Sequence, residues 1–367
     1  MNFCKKLFTA AMTMMSSLTM MFPNSEAFSS TVMHRLEVDT FDSGGTLIFS
    51  DSPEYVKENG ILYRDVVEGD CRVLFYHLND SRTNKNLAVI VENVSGQMNT
   101  VNITRGAISK PTDKFLHAGK SVQTDYMKDD FHDTIYLLKN DKRFLHDSMR
   151  DLTLRPGQLV YGVYDFHTEL PVKISVIMYS TFISPFTFME YAPILPKDEQ
   201  RLRGTFKNMN RTMRAKKIYN PESDGIVYIM IGDNVNDIFK TGIDATDGSE
   251  VVNFGNYGVN YNIEFKSKGD TRTGLVPLGG MYAGAVRSNY NGKSNIILTP
   301  EKKTYFGDAT PKEPESVKKA REEGLSIFTN YTELAELGTY KGNFNFEYSP
   351  PGASNLPVNI VLMPTEK

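Results

Sequence analysis

The 367 residues include 41 basic and 44 acidic side chains, giving a formal net charge of −3, with 40% hydrophobic residues, 23% charged residues and no tryptophan. This is the composition of a globular chain with apolar residues enough for two cores, and the length exceeds one ordinary domain. A near-neutral balance without a basic stripe argues against a nucleic-acid partner, whose backbone demands clustered Lys and Arg, and against an anionic membrane surface.

The chain opens like a secretory leader. Lys5 and Lys6 form a charged n-region, Leu7 to Phe22 an apolar h-region, and Ser25-Glu26-Ala27 a small-residue cleavage site, so processing is expected between Ala27 and Phe28. The apolar run is too short and too diluted by Thr and Ser to span a bilayer, and no second such run follows, so the mature chain is expected to have no transmembrane span. Cleavage would leave Cys71 as the one cysteine, which rules out an internal disulfide.

Short β-like pieces follow at Thr46–Ser50 and Gly60–Val67, separated by Gly44-Gly45 and Asp51-Ser52-Pro53. Arg72 to Thr104 then reads as three strands, Arg72–Leu78, Leu87–Glu92 and Met98–Thr104, joined by turn-formers into a meander. Val122, Tyr126 and Met127 fall at helical spacing and predict a short helix over Ala118–Asp130. Asp133–Leu138, Arg143–Met149, Gln158–Phe166 and Val172–Tyr179 are further strand candidates.

Tyr191–Arg203 combines two prolines with a charge run, as an interdomain linker does. Beyond it Val259–Lys266 is the best-patterned strand: Val259, Tyr261, Ile263 and Phe265 point one way, Asn260, Asn262, Glu264 and Lys266 the other. Such alternation predicts one buried and one wet face. Asn343–Ser349 alternates in the same manner, a helix is expected over Pro314–Glu323, and the last strand runs Pro357–Met363. The fold expected is all-β with a few short helices: two antiparallel sandwiches in tandem, residues 28–190 and 204–367, after a signal peptide at 1–27 and around a linker at 191–203.

Candidate chemistry is sparse. Asp125, Asp129, Asp130, His132 and Asp133 form the densest group of acids, bases and ligands, and on a helix Asp125 and Asp129 would share a face; with His132 they make the candidate metal site. Cys71 and His77 sit on one strand face about 20 Å apart at 3.3 Å per residue, too far to pair, which leaves Cys71 a buried, inert thiol. Asp233 to Asp237 has an apolar Val235 where a calcium loop needs an oxygen ligand and reads as an Asx-rich turn. Gly279-Gly280-Met281-Tyr282-Ala283-Gly284 lacks the Lys and helix start of a phosphate loop. Sugar binding needs exposed rings, for which Tyr257, Tyr261 and Tyr282 are the candidates. Asn93-Val94-Ser95 and Asn102-Ile103-Thr104 are glycosylation sequons by pattern.

Four pieces together, Leu74-Phe75-Tyr76-His77 with Val89 to Asn93, Asn256 to Tyr261, Gly279 to Ala285, and Ser349 to Val358, resemble a group of secreted Firmicutes-type bacterial proteins without assigned activity. Some of that group carry an added module named after the N-terminal domain of copper amine oxidases, which is not found in this sequence. The resemblance implies an exported or envelope protein with β domains. The expectation is a non-catalytic structural or binding module of the cell envelope, needing no cofactor, with an envelope component or glycan as partner. The alternatives are an exported metal-dependent hydrolase using the Asp125–Asp133 cluster, and a glycan-binding module.

Overall fold

The computed structural model describes residues 31–299, 305–308, 326–328 and 334–365. The leader with its Ala27–Phe28 cleavage site and the helix expected at Pro314–Glu323 lie outside the described residues. The first half of the chain holds β1 (Thr31–Arg35), β2 (Val38–Ser43), β3 (Thr46–Ser50), β4 (Tyr55–Val56), β5 (Gly60–Asn79), β6 (Lys85–Asn93) and β7 (Asn99–Ile108). Helix α1 (Phe115–Lys128) then leads to β8 (Asp133–Leu137), β9 (Lys142–Phe144), β10 (Thr153–Leu154) and β11 (Leu159–Ser180). A one-turn helix α2 (Pro185–Phe188) precedes β12 (Arg203–Lys207), β13 (Asn210–Ala215), β14 (Val227–Ile231), β15 (Thr241–Asp244) and β16 (Ser249–Val252). The remainder is β17 (Asn260–Pro277), β18 (Gly279–Tyr282), β19 (Gly284–Tyr290), β20 (Lys293–Thr299), β21 (Tyr305–Asp308), β22 (Ser326–Phe328), β23 (Ala335–Tyr348) and β24 (Val358–Pro364). Strand accounts for 57% of the structure, which is an all-β fold.

Two long ribbons organise it. In the first sheet β5 and β11 pair antiparallel from Leu78 opposite Leu159 to Gly60 opposite Met178. The register breaks between Thr168 and Val172, and there the other neighbour of β11 changes from β7 to β6. A bulge bends and twists a strand, so the ribbon folds over its own core. Ile61, Tyr63, Cys71, Val73 and Phe75 of β5 and Val160, Tyr164, Val172 and Ile174 of β11 all belong to one buried cluster. In the second sheet β17 and β23 repeat the plan: the register breaks between Ser267 and Thr271, where the other neighbour of β17 changes from β13 to β24.

A second cluster joins the two sheets. Leu74, Tyr76 and Leu78, on the opposite face of β5 from Val73 and Phe75, pack in one group with Tyr161, Tyr261, Ile263, Phe265 and Phe346. The stretch Arg72–Asn79 is therefore buried on both faces. This is why it reads as an unbroken apolar run rather than an alternating one.

Three expectations change. Leu87–Glu92 and Met98–Thr104 are strands, but they form no meander with Arg72–Leu78, because β11, some eighty residues later, lies between β5 and β6 and is also the partner of β7. The sheets are mixed rather than wholly antiparallel: β3 and β4 run parallel to β5, β1 to β14, and β13 to β17. The sheets also do not divide at 191–203. β1 and β2 pair with β14 and β13, while β12 pairs with β3. The 191–203 segment is stitched to the first sheet, since the Ile61 amide donates to Pro193 O, the Leu195 amide to Ile61 O, and the buried Arg203 guanidinium to the carbonyls of Leu62 and Leu195.

Gly44-Gly45 carries the chain from one sheet to the other between β2 and β3. A Cβ on Gly45 would lie 1.6 Å from the Asp70 carbonyl oxygen, a backbone atom that cannot swing aside. Gly45→Ala is expected to cost about 1–3 kcal/mol, the range for a forced backbone shift in a packed site, in a denaturant melt. A change below about 0.5 kcal/mol would show that the crossing is not tightly packed.

Turn chemistry recurs at the ends of β5 and β6. Asn79 and Asn93 each accept from the amide and hydroxyl of the serine two residues on, and donate to the carbonyl four residues on. Asp244 repeats the acceptor half of this device with Thr246. The side chain mimics a backbone turn. Asn93 is 1% exposed and spends its amide inside this turn, so this sequon is a structural motif rather than a glycan acceptor.

A polar sheet face and its cleft

The polar site begins under α1. Ala118, Val122 and Tyr126 bury one helix face, displaced slightly toward the N-terminus from the predicted span, and Gln123 ties the helix to the second sheet by accepting from the Ala285 amide and donating to Ser349 O. Beneath it Arg72, 2% exposed, forms a two-pronged pair with Asp165 at 2.6 and 2.7 Å and donates to the carbonyls of Met209 and Gly258 at 2.9 Å. The Tyr126 hydroxyl donates to Asp165 at 2.8 Å, and Arg105 lies over the Tyr126 ring, 3.9 Å from its centroid. Arg105 then reaches across to Glu347 of β23. The two sheets are thus joined by a chain of charges as well as by the apolar cluster.

Glu347 opens onto the outer face of the second sheet, and the register lays out what stands there. One row runs Phe41, Thr212, Asn262, Glu347, Arg287 across β2, β13, β17, β23 and β19. The next runs Asp39, Arg214, Glu264, Asn345, Asn289, and a third pairs Lys266 with Asn343. The opposite face carries Met213, Ile263, Phe265, Phe344 and Phe346 into the core. This is the wet and dry alternation expected of Val259–Lys266 and Asn343–Ser349.

The face is internally bonded. Asn345 Nδ2 donates to Asn262 Oδ1 at 2.6 Å, Asn262 Nδ2 to Glu264 Oε1 at 2.8 Å, and Arg214 Nε to Glu264 Oε2 at 2.6 Å. Asn260 and Arg287 converge on Glu347 at 2.9 and 3.5 Å. Arg214 also lies 5.8 Å from the ring centre of Phe41, which is 50% exposed. The C-terminal end of α1 covers the Glu347 end through Arg287, whose guanidinium donates to Met127 O. Away from the helix the face opens into a cleft of about 500 Å3 lined by Arg214, Lys216, Lys217, Ile218, Glu264, Lys266 and the amides of Asn289, Asn343 and Asn345.

The residues singled out from the sequence lie elsewhere. Tyr261 and Tyr282 are fully buried, and Tyr257 is partly buried with its hydroxyl donating to Ser354 O. None presents a ring to solvent as a sugar platform would, because each belongs to or packs on the apolar cluster between the sheets. Asp125 is held by Lys128 at 2.6 Å. Asp129 caps α1 in the left-handed conformation at φ 58°, out of helical register with Asp125, and faces Arg105 at 3.9 Å. His132 is exposed. Among the described residues no three His, Cys, Asp or Glu side chains gather into a group able to hold a metal ion. Among them, too, no helix is long and apolar enough to cross a membrane.

Cys71 is buried, and burial with the nearby Asp70 pushes its thiol up to about 12. Asp233 accepts from the amides of residues 235, 236 and 237, the Asx turn that its sequence suggests. That turn delivers Asp237 into the core, where it takes bonds from Arg211, Tyr261 and the Gly232 amide. Sequence reading also missed a partner for His77: Ser50 Oγ lies 2.9 Å from its Nε2, while Nδ1 lies 3.0 Å from Pro53 O. Ser50 and His77 are both 0% exposed, so this pair faces no substrate and ties β3 to β5 inside the sheet.

The fold and the site together define a mixed all-β protein that displays a rigid polar sheet face. No family model matches the chain, and no curated protein matches it. Among solved structures it is similar to a chain in the structure of the Macrobrachium rosenbergii nodavirus, at 10% identity over 94% of this chain and 93% of that one, with a TM-score of 0.11. A likeness at that score carries no argument about fold or function.

Proposed function

We propose that this is an exported, non-catalytic binding module of the cell envelope, and that its ligand surface is the polar face of the second sheet. The leader-like sequence of residues 1–27 and the resemblance to secreted Firmicutes-type proteins support export. The observation that carries the binding role is the cleft lined by Arg214, Lys266, Asn343 and Asn345. Side chains on adjacent strands are held in fixed spacing by the ladder, and sites on rigid elements are more exact than sites on loops. Amides and cations in a row suit a ligand rich in hydroxyl groups, and Phe41 adds an exposed ring beside them. The metal-dependent alternative draws no support from the positions of Asp125, Asp129 and His132.

A glycan array probed with the mature chain is expected to show retention on saccharides that Asn343→Ala and Arg214→Ala weaken and that EDTA leaves unchanged. Retention abolished by chelator, or turnover of a bound saccharide that a single substitution removes, would overturn this reading.

A further inference from the structure

We infer that the cleft on the second sheet selects a saccharide or polyol chain bearing negative charge; this rests on the binding role proposed above and names its ligand class. Four cations, Arg214, Lys216, Lys217 and Lys266, line the cleft against one carboxylate, Glu264. Arg214, Lys216 and Lys217 fall in the short run Arg214-Ala215-Lys216-Lys217 at the end of β13 and the turn after it, and the fold adds Lys266 from β17. Glu264 is already neutralised by Arg214 at 2.6 Å. Lys216 lies 3.7 Å from both Glu37 and Asp39, exposed groups whose pairing is worth at most about 1 kcal/mol and yields readily to a ligand, while Lys217, itself exposed, lies 3.2 Å from the more sheltered Asp224. The exposed Lys266 side chain makes no hydrogen bond or ion pair with another described residue, and the side chain of Asn343, its neighbour across the ladder, is likewise free of such bonds. A concave site lined by one sign of charge concentrates ligands of the other.

The remaining lining distinguishes a hydroxylated anion from a bare one. Asn289, Asn343 and Asn345 offer amides that donate and accept in the manner hydroxyl groups require, and Ile218, 42% exposed, supplies an apolar wall for the C–H face of a ring. A volume of about 500 Å3 holds a short stretch of chain rather than a single small ion.

The test is calorimetric titration of the mature chain with three probes: a galacturonate oligomer, a glycerol phosphate oligomer and a neutral glucose oligomer of equal length. At least one charged probe is expected to bind ten-fold or more tightly than the neutral one. That binding should weaken several-fold between 50 and 200 mM salt and fall at least ten-fold in Lys266→Glu. Lys266→Gln, checked for an unchanged melting temperature, separates charge from fold and should lie between. The two charged arms tell a carboxylated sugar from a phosphate-linked polyol. Equal binding of the neutral probe, still weakened by Asn343→Ala, would overturn the charge selection and leave the binding role standing. Binding of no probe, or binding indifferent to all cleft variants, would overturn both.

Discussion

Arg72→Ala is expected to remove about 3–5 kcal/mol of stability, a large part of the roughly 5–15 kcal/mol that holds a typical domain folded. The guanidinium is 2% exposed, and truncating it leaves the largely buried Asp165 carboxylate with only the Tyr126 hydroxyl and the buried carbonyls of Met209 and Gly258 without its hydrogen bonds. An unpaired buried charge is the costly state, whereas replacing both partners by apolar groups is tolerated better. Arg72→Met with Asp165→Leu should therefore recover part of the loss. Denaturant melts of the wild type, the single variant and the double variant decide this; a single variant within about 1 kcal/mol of wild type would mean the pair contributes little.

Glu54→Gln is expected to gain about 3 kcal/mol over the wild type as pH rises from 4.5 to above 7. Burial, reinforced by Asp198, raises the Glu54 carboxyl to about 7 from its ordinary 4.5. A carboxyl whose folded value lies above its unfolded one favours the fold below pH 4.5, and that benefit is lost as pH climbs through 7 at about 1.4 kcal/mol per unit. Asp51, pushed well up by burial and then by Glu54 and Asp198, adds a second slope of that sign. His77 opposes them: burial lowers it to about 4 from 6.5, so its contribution is complete above pH 6.5 and is lost as pH falls through 4. Glutamine keeps the neutral form at position 54 and removes one of the two falling slopes. Urea melts at pH 4.5, 6 and 7.5 measure the difference, and parallel profiles for wild type and variant would refute the raised carboxyl.

What the sequence made legible follows from the range of each signal. The alternation in Val259–Lys266 and Asn343–Ser349 is local, and it correctly sorts Tyr261, Ile263 and Phe265 inward and Asn262, Glu264 and Lys266 outward. That same sorting already denied Tyr261 a role as an exposed platform. Nothing local says that these two strands pair with each other, with Asn262 opposite Glu347, so the polar face they build together was not visible. The insertion of β11 between β5 and β6 is equally long-range, which is why three true strands read as a meander that does not exist. Phe41 lies between Thr40 and Asp42 in a mostly polar stretch, and only the pairing of β2 with β13 places it on the outer face beside Asp39. The candidate site stands on strands rather than loops, because a sheet face can be as open as a loop when only one side packs.

The pairing of β1 with β14, β2 with β13 and β3 with β12 sets the order in which the molecule can be completed. During synthesis the strands before residue 50 emerge first, yet the partners of β1 and β2 and one edge of β3 are not available until residues beyond 200 have followed. Loop-closure entropy must be met before such distant pairings reward it, so closure is slow and waits on the far half. Until then β1 and β2 have no partner among the described strands, whereas β3 can already lie against β5, so the join at Gly44-Gly45 divides the part of the N-terminal segment that can pair early from the part that must wait.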